Sequence, residues 1–323
     1  MELESRGGGD LFLALDVGGT SVKCGLVTRG GAILRFGSFP TAGAAGPEEL
    51  IALMARNLEA LRNEAPGPRP KALAVGAPGW IKPREGIVVT APNLPGWSDV
   101  PVASLLSRAM DMPVLLENDA NLYALGEWLA GAGRGADNML CATLGTGVGG
   151  GLILGGALWS GSFTSAAEIG HIPAPSARGR RCGCGREGCL ETVASASGAA
   201  ALFRERLAQG GKTLYRGRPE DVDAEAMAEL ARGGDPLSLE IFREAGEALG
   251  WVLAGVFNLL GLERVVIGGG GAGAFAFLEP SLKEVLRRRV VTAGIGDIGV
   301  VKGTLGGNAP LVGAAALLAG AGY

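Results

Sequence analysis

Residues 11–27 read LFLALDVGGTSVKCGLV, which is an apolar run, a glycine-rich bend and a second apolar run. This pattern predicts two β-strands joined by a tight turn, because short apolar runs bounded by glycine are typical of buried strands. The phrase Gly19-Thr20-x4-Gly25-Leu26-Val27 recurs as Gly145-Thr146-x4-Gly151-Leu152-Ile153. Two hairpins with matching Gly-Thr turns indicate a duplicated domain, in which each half offers backbone N–H groups to one phosphate chain.

Strand and helix patterns alternate along the rest of the chain. The predicted strands are 11–17, 22–27, 32–39, 71–75, 114–116, 139–144, 148–154, 264–267 and 300–301. The predicted helices are 46–63, 101–110, 122–130, 220–232, 236–260, 279–289 and a closing helix from 310, and residues 81–98 are predicted to be rich in loops. This order implies mainly parallel sheets covered by helices, with an antiparallel hairpin leading each half. We expect ligands at loops beyond the strand ends, in a cleft between the halves.

Composition excludes several classes of protein. The chain has 323 residues, of which 47% are hydrophobic and 19% charged, so it is long enough for two domains with large cores. A formal net charge of −3 argues against a general nucleic-acid binder. We find no secretory signal and no apolar run long enough for a membrane span, and Cys24 and Cys141 are predicted core residues, so we expect the reducing cytoplasm.

One histidine and three cysteines lie close together in sequence: His171, Cys182, Cys184 and Cys189. Three thiolates and one imidazole form a closed four-coordinate set, which suits a structural Zn²⁺. A disulfide is the alternative, although any pairing among these cysteines leaves an odd thiol. Glu168 and Glu191 flank the ligands, so one metal would hold both carboxylates in place to accept hydrogen bonds from a polyol.

A carboxylate precedes the first glycine bend. Asp16 can hold Mg²⁺ through waters beside a phosphate chain, while the glycines, Thr20 and Thr146 cradle the phosphates. The P-loop pattern GxxxxGK[ST] does not occur in the sequence. An ordinary glycine-rich hairpin is the alternative for the first copy alone, and the second copy at Gly145 weighs against it.

Asn118 and Asp119 lie where a predicted strand passes into a helix. A helix N-cap aspartate is the common structural explanation for such a residue. The functional interpretation is that Asp119 accepts the proton of an attacking hydroxyl group, which Asn118 orients. Two phosphate-binding bends elsewhere in the chain favour the functional interpretation.

Together these motifs resemble the ROK family of sugar kinases and repressors from about Asp16 to Gly313. The motifs are Asp16-x-Gly-Gly-Thr20, Glu117-Asn-Asp-Ala-Asn121, Gly145-Thr-Gly-Val-Gly-Gly-Gly151, Glu168-Ile-Gly-His171 and Cys182-x-Cys-Gly-x-x-Gly-Cys-Leu-Glu191. The resemblance implies an actin-like, ribonuclease-H-like α/β fold of two domains, whose last helix packs on the N-terminal domain. We predict an N-terminal domain of residues 1–118 plus 308–323, and a C-terminal domain of residues 119–307 that carries the zinc site.

The resemblance also assigns residues to a hexokinase-type reaction with ATP and Mg²⁺. Asp119 is the expected base at the sugar 6-hydroxyl, and one ring nitrogen of His171 binds zinc while its other edge faces the sugar. The expected substrate-binding residues are Gly79, Asn93, Asn118, Asp119, Glu168, His171 and Glu191. The expected ATP-binding residues are Asp16 (through Mg²⁺), Gly18, Gly19, Thr20, Gly145, Thr146, Gly147, Gly268, Gly269 and Gly270, with the last three near the adenosine.

These assignments predict a cytoplasmic ATP-dependent glucokinase of carbohydrate metabolism and glycolysis, and the family implies a homodimer. The alternatives are an N-acetylglucosamine or N-acetylmannosamine kinase, a sugar-sensing regulator without turnover, a purely structural zinc protein, and polyphosphate as the donor. Some family members are repressors with an N-terminal helix-turn-helix, for which the fifteen residues before Asp16 are too few. Ser21 stands where many members have lysine, and we expect Lys23 to be a strand residue that faces solvent and is neutral for catalysis.

Overall fold

The computed structural model describes residues 10–65, 67–291 and 299–323. Its strands are β1 (Leu11–Val17), β2 (Ser21–Thr28), β3 (Ile33–Pro40), β4 (Leu73–Ala77), β5 (Trp80–Lys82), β6 (Ile87–Thr90), β7 (Ser98–Val100), β8 (Val114–Asn118), β9 (Met139–Leu144), β10 (Val148–Leu154), β11 (Ala157–Leu158), β12 (Arg264–Gly268) and β13 (Gly299–Lys302). Its α-helices are α1 (Pro47–Asn63), α2 (Val102–Met110), α3 (Asp119–Ala130), α4 (Glu191–Ala194), α5 (Ala196–Ala208), α6 (Ala224–Arg232), α7 (Pro236–Leu260), α8 (Phe275–Arg289) and α9 (Ala309–Gly320).

Contacts divide the chain into two units. The first unit comprises the described residues up to Arg134, with Ser160–Ser165 and Asn308–Tyr323. The second comprises the described residues of Gly135–Trp159 and Ala166–Gly307. The predicted boundary after residue 118 falls between β8 and α3, whereas the contacts group α3 with the first unit because α3 packs along α9.

The first unit is built on a five-stranded sheet in the order β3-β2-β1-β4-β8. β1 pairs antiparallel with β2 and parallel with β4, which confirms the predicted hairpin. Alternate residues of a strand face opposite sides of the sheet. Leu13 and Leu15 therefore pack with α1 and α2 in one core cluster, and the opposite face of the sheet contacts α9.

Helices α3 and α9 approach each other more closely than ordinary side chains permit. A Cβ atom added at Gly126 would lie 2.0 Å from the Ala309 carbonyl oxygen, and one added at Gly313 would lie 1.8 Å from that of Leu122. Glycine at both positions lets the two backbones meet. The closing helix thus returns to the N-terminal unit, as the resemblance implies.

The second unit repeats the same strand order as β11-β10-β9-β12-β13. β9 pairs antiparallel with β10 and parallel with β12, in the same arrangement as β1 with β2 and β4. Its core cluster joins one face of this sheet to α5, α6, α7 and α8. Asp235 caps the start of α7 with a carboxylate that accepts from the backbone N–H of Ser238, and Gly261 caps its end in the left-handed conformation.

Several predicted elements need correction. Residues 81–98 are rich in loops, as predicted, but the loops join three short strands that the prediction missed: β5, β6 and β7 form a three-stranded antiparallel sheet, with strands of three or four residues. The prediction missed α5, and α8 starts at Phe275 rather than near 279. β4 extends to Ala77, so Gly76 is a strand residue.

Two further predictions concern core residues and membrane spans. Cys24 and Cys141 are 1% and 0% exposed, which confirms them as core residues. Among the residues that the structure describes, no helix has the length and apolar character needed to cross a bilayer.

Candidate active site

The first glycine bend lies between β1 and β2. The backbone N–H of Gly18 donates to the Ser21 carbonyl at 2.9 Å, which closes the turn. Thr41, the residue after β3, donates its hydroxyl to the Gly18 carbonyl at 2.8 Å and its backbone N–H to the Thr20 carbonyl at 2.9 Å. Thr41 therefore holds the bend in place, while Gly19 and Thr20 remain exposed and accessible to a ligand.

Asp16 lies at the end of β1 beside this bend, with a side chain that is only 15% exposed. Burial raises the pKa of its carboxyl group, and the nearby Lys23 ammonium lowers it by a smaller amount. The Lys23 Nζ atom lies 3.8 Å from the Asp16 carboxylate. Lys23 is the strand residue that the sequence predicts, but it is directed at Asp16 rather than simply at solvent, because the two residues face each other in the β1–β2 register.

Asn93 and Gly79 both belong to the first unit, and each takes part in a close contact that depends on a glycine. A Cβ atom at Gly19 would lie 3.0 Å from the Cβ atom of Asn93, so the predicted sugar ligand directly contacts the predicted phosphate bend. Gly79 has φ +85°, and a Cβ atom there would lie 2.2 Å from the Thr90 carbonyl oxygen. Only glycine fits this turn, which brings the start of β5 against the end of β6.

The junction of β8 and α3 carries Asn118 and Asp119. The Asn118 side-chain oxygen accepts from the backbone N–H groups of Ala120 and Asn121 at 2.9 and 3.3 Å, so Asn118 is the helix N-cap. Asp119 is the first residue of the helix and is half-buried, with one oxygen accepting from the Ala120 N–H at 2.8 Å. The cap interpretation therefore applies to Asn118, whose amide NH₂ group is the part suited to donate to a ligand.

Gly76 lets the junction of β8 and α3 pack closely against the sheet. In the register of β1, β4 and β8, Asp16 pairs with Gly76 and Gly76 pairs with Glu117. A Cβ atom at Gly76 would lie 3.7 Å from the Asp119 Cα atom and 3.0 Å from the Leu122 side chain. Asp119 and the neighbouring strand residue Asp16 therefore both lie close to Gly76.

The second glycine bend lies between β9 and β10. The Gly145 N–H donates to the Gly147 carbonyl at 2.9 Å, and the Ala196 N–H donates to the Gly145 carbonyl at 2.8 Å. The Ser197 hydroxyl donates to the Thr146 carbonyl. The residues that follow the predicted zinc stretch (residues 171–189) therefore support this bend.

Glu191 joins the bend to the predicted metal ligands. Its Oε2 atom accepts from the Val148 N–H at 3.0 Å, and its Oε1 atom lies 3.5 Å from the Cys182 sulfur. A Cβ atom at Gly147 would lie 2.3 Å from Glu191 Oε2, so the carboxylate fills the space that this glycine leaves. The predicted sugar ligand Glu191 is thus also a structural support of the predicted phosphate bend.

His171, Cys182, Cys184 and Cys189 converge, with one ligand atom of each lying within 4.8 Å of the others. Cys184 Sγ lies 3.7 Å from Cys189 Sγ, and His171 Nδ1 lies 3.8 Å from Cys182 Sγ. A tetrahedral ion with bonds of about 2.3 Å to sulfur places its ligand atoms roughly 3.8 Å apart, so the set fits Zn²⁺. No disulfide links the described cysteines.

The orientation of His171 agrees with a metal site, and the Cys182 thiol would lose its proton on binding the ion. Burial raises the pKa of Cys182 to about 12, so metal binding would have to displace its proton. While Nδ1 of His171 faces Cys182, its Nε2 atom lies 3.9 Å from a Glu168 carboxylate oxygen. Glu168 is 59% exposed and available to a ligand.

The predicted adenosine loop follows β12. Gly268 ends the strand, and Gly269 has φ +78° with its hypothetical Cβ atom 2.4 Å from the Leu144 carbonyl oxygen. Gly270 begins a short 3-10 helix and has open space at its Cβ position. The loop therefore lies against the residue that precedes the second glycine bend.

Sequence reasoning missed several residues that shape these sites. Glu117 is 6% exposed and lies in β8, two residues before α3 begins. Glu117 stands next to the Asn-Asp pair, and that position was a usable signal. Thr41 and Ser197 carried no signal, since their contacts with the bends come from distant parts of the chain.

Comparison with known proteins decides the family. The family model described as "ROK family" matches residues 12–321.

The chain belongs to the ROK family.

Relatives within the family have several named activities. A glucokinase of Thermotoga maritima is 36% identical over 310 residues, covering 95% of this chain and 96% of the relative. A kanosamine kinase of Amycolatopsis mediterranei is 35% identical, with coverage of 94% and 95%. An N-acetylmannosamine kinase of Yersinia pseudotuberculosis is 32% identical, with coverage of 83% and 85%.

A solved structure in the ROK family gives the same fold. The crystal structure of a ROK family glucokinase from Streptomyces griseus in complex with glucose and AMPPNP has a TM-score of 0.79 and 31% identity, and the match covers 95% of this chain and 98% of that one. The predicted fold class, two α/β domains of the actin-like ATPase type, is confirmed.

Proposed function

We propose that this ROK-family chain transfers the γ-phosphoryl group of ATP to the 6-hydroxyl of glucose. The enzyme class is an ATP-dependent sugar kinase, which is the activity shared by the named relatives and the glucokinase complex with glucose and AMPPNP. The observation that carries the proposal is the placement of Asp119 next to Gly76. Gly76 in turn pairs with Asp16 on the neighbouring strand. A base and a metal-binding carboxylate in one assembly are what phosphoryl transfer requires.

Asp119 is the proposed general base. A half-buried carboxylate at the start of a helix can accept the hydroxyl proton as the sugar oxygen attacks. Asn118 keeps its side-chain oxygen on the helix cap, so its NH₂ group is the proposed donor that orients the sugar. Such positioning supplies a large part of the rate in phosphoryl transfer, because little covalent chemistry falls to the protein.

Asp16 is the proposed residue for Mg²⁺, held through waters. A buried carboxylate beside an exposed glycine bend has the charge and the placement that a hard cation prefers. Bound there, Mg²⁺ would neutralise charge on the phosphates. The backbone N–H groups at 18–20 and 145–147 are the proposed phosphate donors, and the loop 268–270 is the proposed adenosine contact.

Sugar binding is proposed for Asn93, Glu168, His171 and Glu191, together with the backbone at Gly79. Carboxylates and amides accept and donate hydrogen bonds to sugar hydroxyls with the directionality that selects one epimer. Zn²⁺ would fix His171 and, through Cys189, the start of helix α4, which bears Glu191. With four protein ligands it leaves no site for a water, so its proposed role is structural.

Glucose is the proposed sugar, and an N-acetylhexosamine is the alternative. The glucokinase relatives favour glucose, and the N-acetylmannosamine kinase keeps the alternative open. Discrimination would depend on the loops at 78–97 and 160–167. In the first unit the Thr164 hydroxyl lies 3.3 Å from the Ile81 carbonyl oxygen, so the second loop reaches the edge strand of the small sheet.

The domain boundaries at 118 and 308, a homodimer and a cytoplasmic location stay predictions.

The test is a coupled assay of ADP formation with glucose, mannose, fructose, N-acetylglucosamine and N-acetylmannosamine. We expect ADP release that depends on sugar and Mg²⁺ and is fastest with glucose. Faster turnover of an N-acetylhexosamine would replace the substrate, and turnover only with polyphosphate would replace the donor. Sugar binding without ADP release from any donor would contradict the enzyme and favour a sensor.

A further inference from the structure

Glu117 is a buried carboxyl group to which the proposed mechanism gives no role. It lies one residue before the end of β8 and is 6% exposed. Its Oε1 atom accepts from the Asn118 backbone N–H at 2.8 Å and from the Asn121 side-chain NH₂ group at 2.9 Å. These two donors stand on either side of Asp119 in the chain, so one oxygen atom ties the strand end to the first turn of the helix across the proposed base.

A second pair of hydrogen bonds crosses the same residue. The Asn118 side chain accepts from the N–H groups of Ala120 and Asn121. Asn121, which is 5% exposed, is therefore held twice, by its backbone to Asn118 and by its side chain to Glu117. The junction from 117 to 121 has its backbone direction fixed on both sides of Asp119.

The sheet supports the junction from below. Glu117 and Asp16 each pair with Gly76 in the strand register, so their side chains leave the same face of the sheet. This is the face on which the first turn of α3 rests, with the Asp119 Cα atom 3.7 Å from the hypothetical Gly76 Cβ atom. Glu117 thus enters the space under α3 rather than solvent.

Helix capping does not require this residue. Asn118 already caps the N–H groups of Ala120 and Asn121, and a buried carboxyl group costs more to desolvate than an apolar side chain. Burial raises the pKa of Glu117, while its bonds from Asn121 and Asn118 lower it by less. Helix capping therefore does not explain why this position has a buried acid that accepts hydrogen bonds from residues on both sides of the proposed base.

We propose that Glu117 is a positioning residue for phosphoryl transfer, whose Oε1 atom holds the β8–α3 junction so that Asp119 meets the sugar hydroxyl. The inference rests on the proposed role of Asp119. Displacing a reacting group by about 1 Å can cost on the order of 10²-fold in rate, so loss of the two hydrogen bonds should act mainly on kcat.

The experiment compares Glu117→Leu with Glu117→Gln. We expect Glu117→Leu to lower kcat by about 10- to 100-fold, with the KM for ATP within about 2-fold of the parent. Glu117→Gln should keep kcat within about 3-fold, because its amide oxygen can accept the same two bonds. Asn121→Ala, which removes one of the two donors, should lower kcat by about 3- to 10-fold.

Glu127→Leu is the matched control. Glu127 is 0% exposed on the same helix, but its carboxylate accepts from the Ala132 N–H at the far end of α3. This variant should lower the melting temperature while keeping kcat of the folded protein within about 3-fold.

Three results would overturn the inference: an unchanged kcat in Glu117→Leu, an equal kcat loss in Glu117→Gln, or an equal kcat loss in Glu127→Leu. Should Glu117→Leu fail to fold, Asn121→Ala and Glu117→Gln decide, and an unchanged kcat in Asn121→Ala contradicts the inference. A failure of the proposed function is distinct, since the parent would then release no ADP or Asp119→Asn would stay active.

Discussion

The two glycine bends share a strand order and differ in chemistry. The first closes over residues 18–21 between Val17 and Val22, and the second over residues 145–147 between Leu144 and Val148. In the first hairpin, Asp16 faces Lys23 across the register. In the second, Ala142 faces Gly150. The first hairpin therefore carries a pair of opposite charges at a position where the second has two small neutral residues.

The two bends are also supported differently. Thr41 donates hydrogen bonds to both the Gly18 and the Thr20 carbonyls of the first bend. The second bend depends on Glu191, Ala196 and Ser197, which all follow the cysteine ligands in sequence. The difference supports a division of roles in the proposed mechanism: the first bend would supply the charge that holds Mg²⁺, and the second would supply backbone donors whose order depends on the predicted zinc stretch.

Asp16→Asn should have the largest effect among changes to the bends. We expect kcat to fall by about 10³-fold and the Mg²⁺ requirement to rise, because the carboxylate that neutralises phosphate charge through the ion is lost. A Mg²⁺ titration of ADP release measures both. Asp10→Asn, at an exposed ion pair with Lys71 just before the same strand, is the control and should keep full activity.

The same substitution should stabilise the ligand-free protein near neutral pH. Burial raises the pKa of Asp16 above its ordinary value of 3.8 in the folded state, so the stability that its protonated form contributes is lost as pH rises through the folded pKa. Asn carries no such charge. A higher melting temperature for Asp16→Asn at pH 7, with the difference shrinking as the pH falls from the folded pKa towards 3.8, is the expected result; a lower melting temperature at pH 7 would contradict it.

Removal of zinc should affect the second bend and spare the first. We expect chelation to lower the melting temperature by several degrees and to raise the KM values for sugar and ATP, since Glu191 loses its fixed position. Hydrogen exchange should accelerate in residues 139–154 and remain unchanged in residues 11–28. Equal acceleration in both hairpins would show that the zinc stretch does not support the second bend specifically.

Gly147→Ala tests the contact between the second bend and Glu191. The added Cβ atom would lie 2.3 Å from Glu191 Oε2, so the carboxylate must move. We expect the KM for ATP to rise by about 10-fold with a smaller change in kcat. Gly255→Ala on α7, where a Cβ atom meets open space, is the matched control. An unchanged KM in Gly147→Ala would remove Glu191 from the support of this bend.

Ser197→Ala should have the smallest effect. It removes one hydroxyl donor to the Thr146 carbonyl and leaves the backbone bond from Ala196 to Gly145 intact. A single neutral hydrogen bond contributes about 1 kcal/mol, so the KM for ATP should rise by roughly 2- to 5-fold. A change larger than that of Gly147→Ala would reverse the order of importance proposed for these contacts.

The sequence predicted the parts of the fold that local pattern determines. The paired hairpins, α1 and α7 carry strong signals, namely glycine bends between apolar runs and proline in the first turn of a helix. The strands β5, β6 and β7 were missed because they are short and separated by proline and glycine. Helix α5 was missed because its Ala-rich sequence shows little contrast between a polar and an apolar face.

The candidate site was predictable in its residue types and less so in its geometry. The four predicted metal ligands converge as their spacing indicates. The strand register sets the positions of Gly76, Glu117 and Lys23 beside other site residues. One sequence does not reveal which residues become neighbours across a sheet.

The most direct test of the account is Asp119→Asn, measured for turnover and for sugar affinity. The account predicts that ADP formation falls by about 10²- to 10⁴-fold, the range expected for loss of a general base, while calorimetry finds sugar affinity nearly unchanged. Activity close to that of the parent would contradict Asp119 as the base, and with it the central claim for the β8–α3 junction.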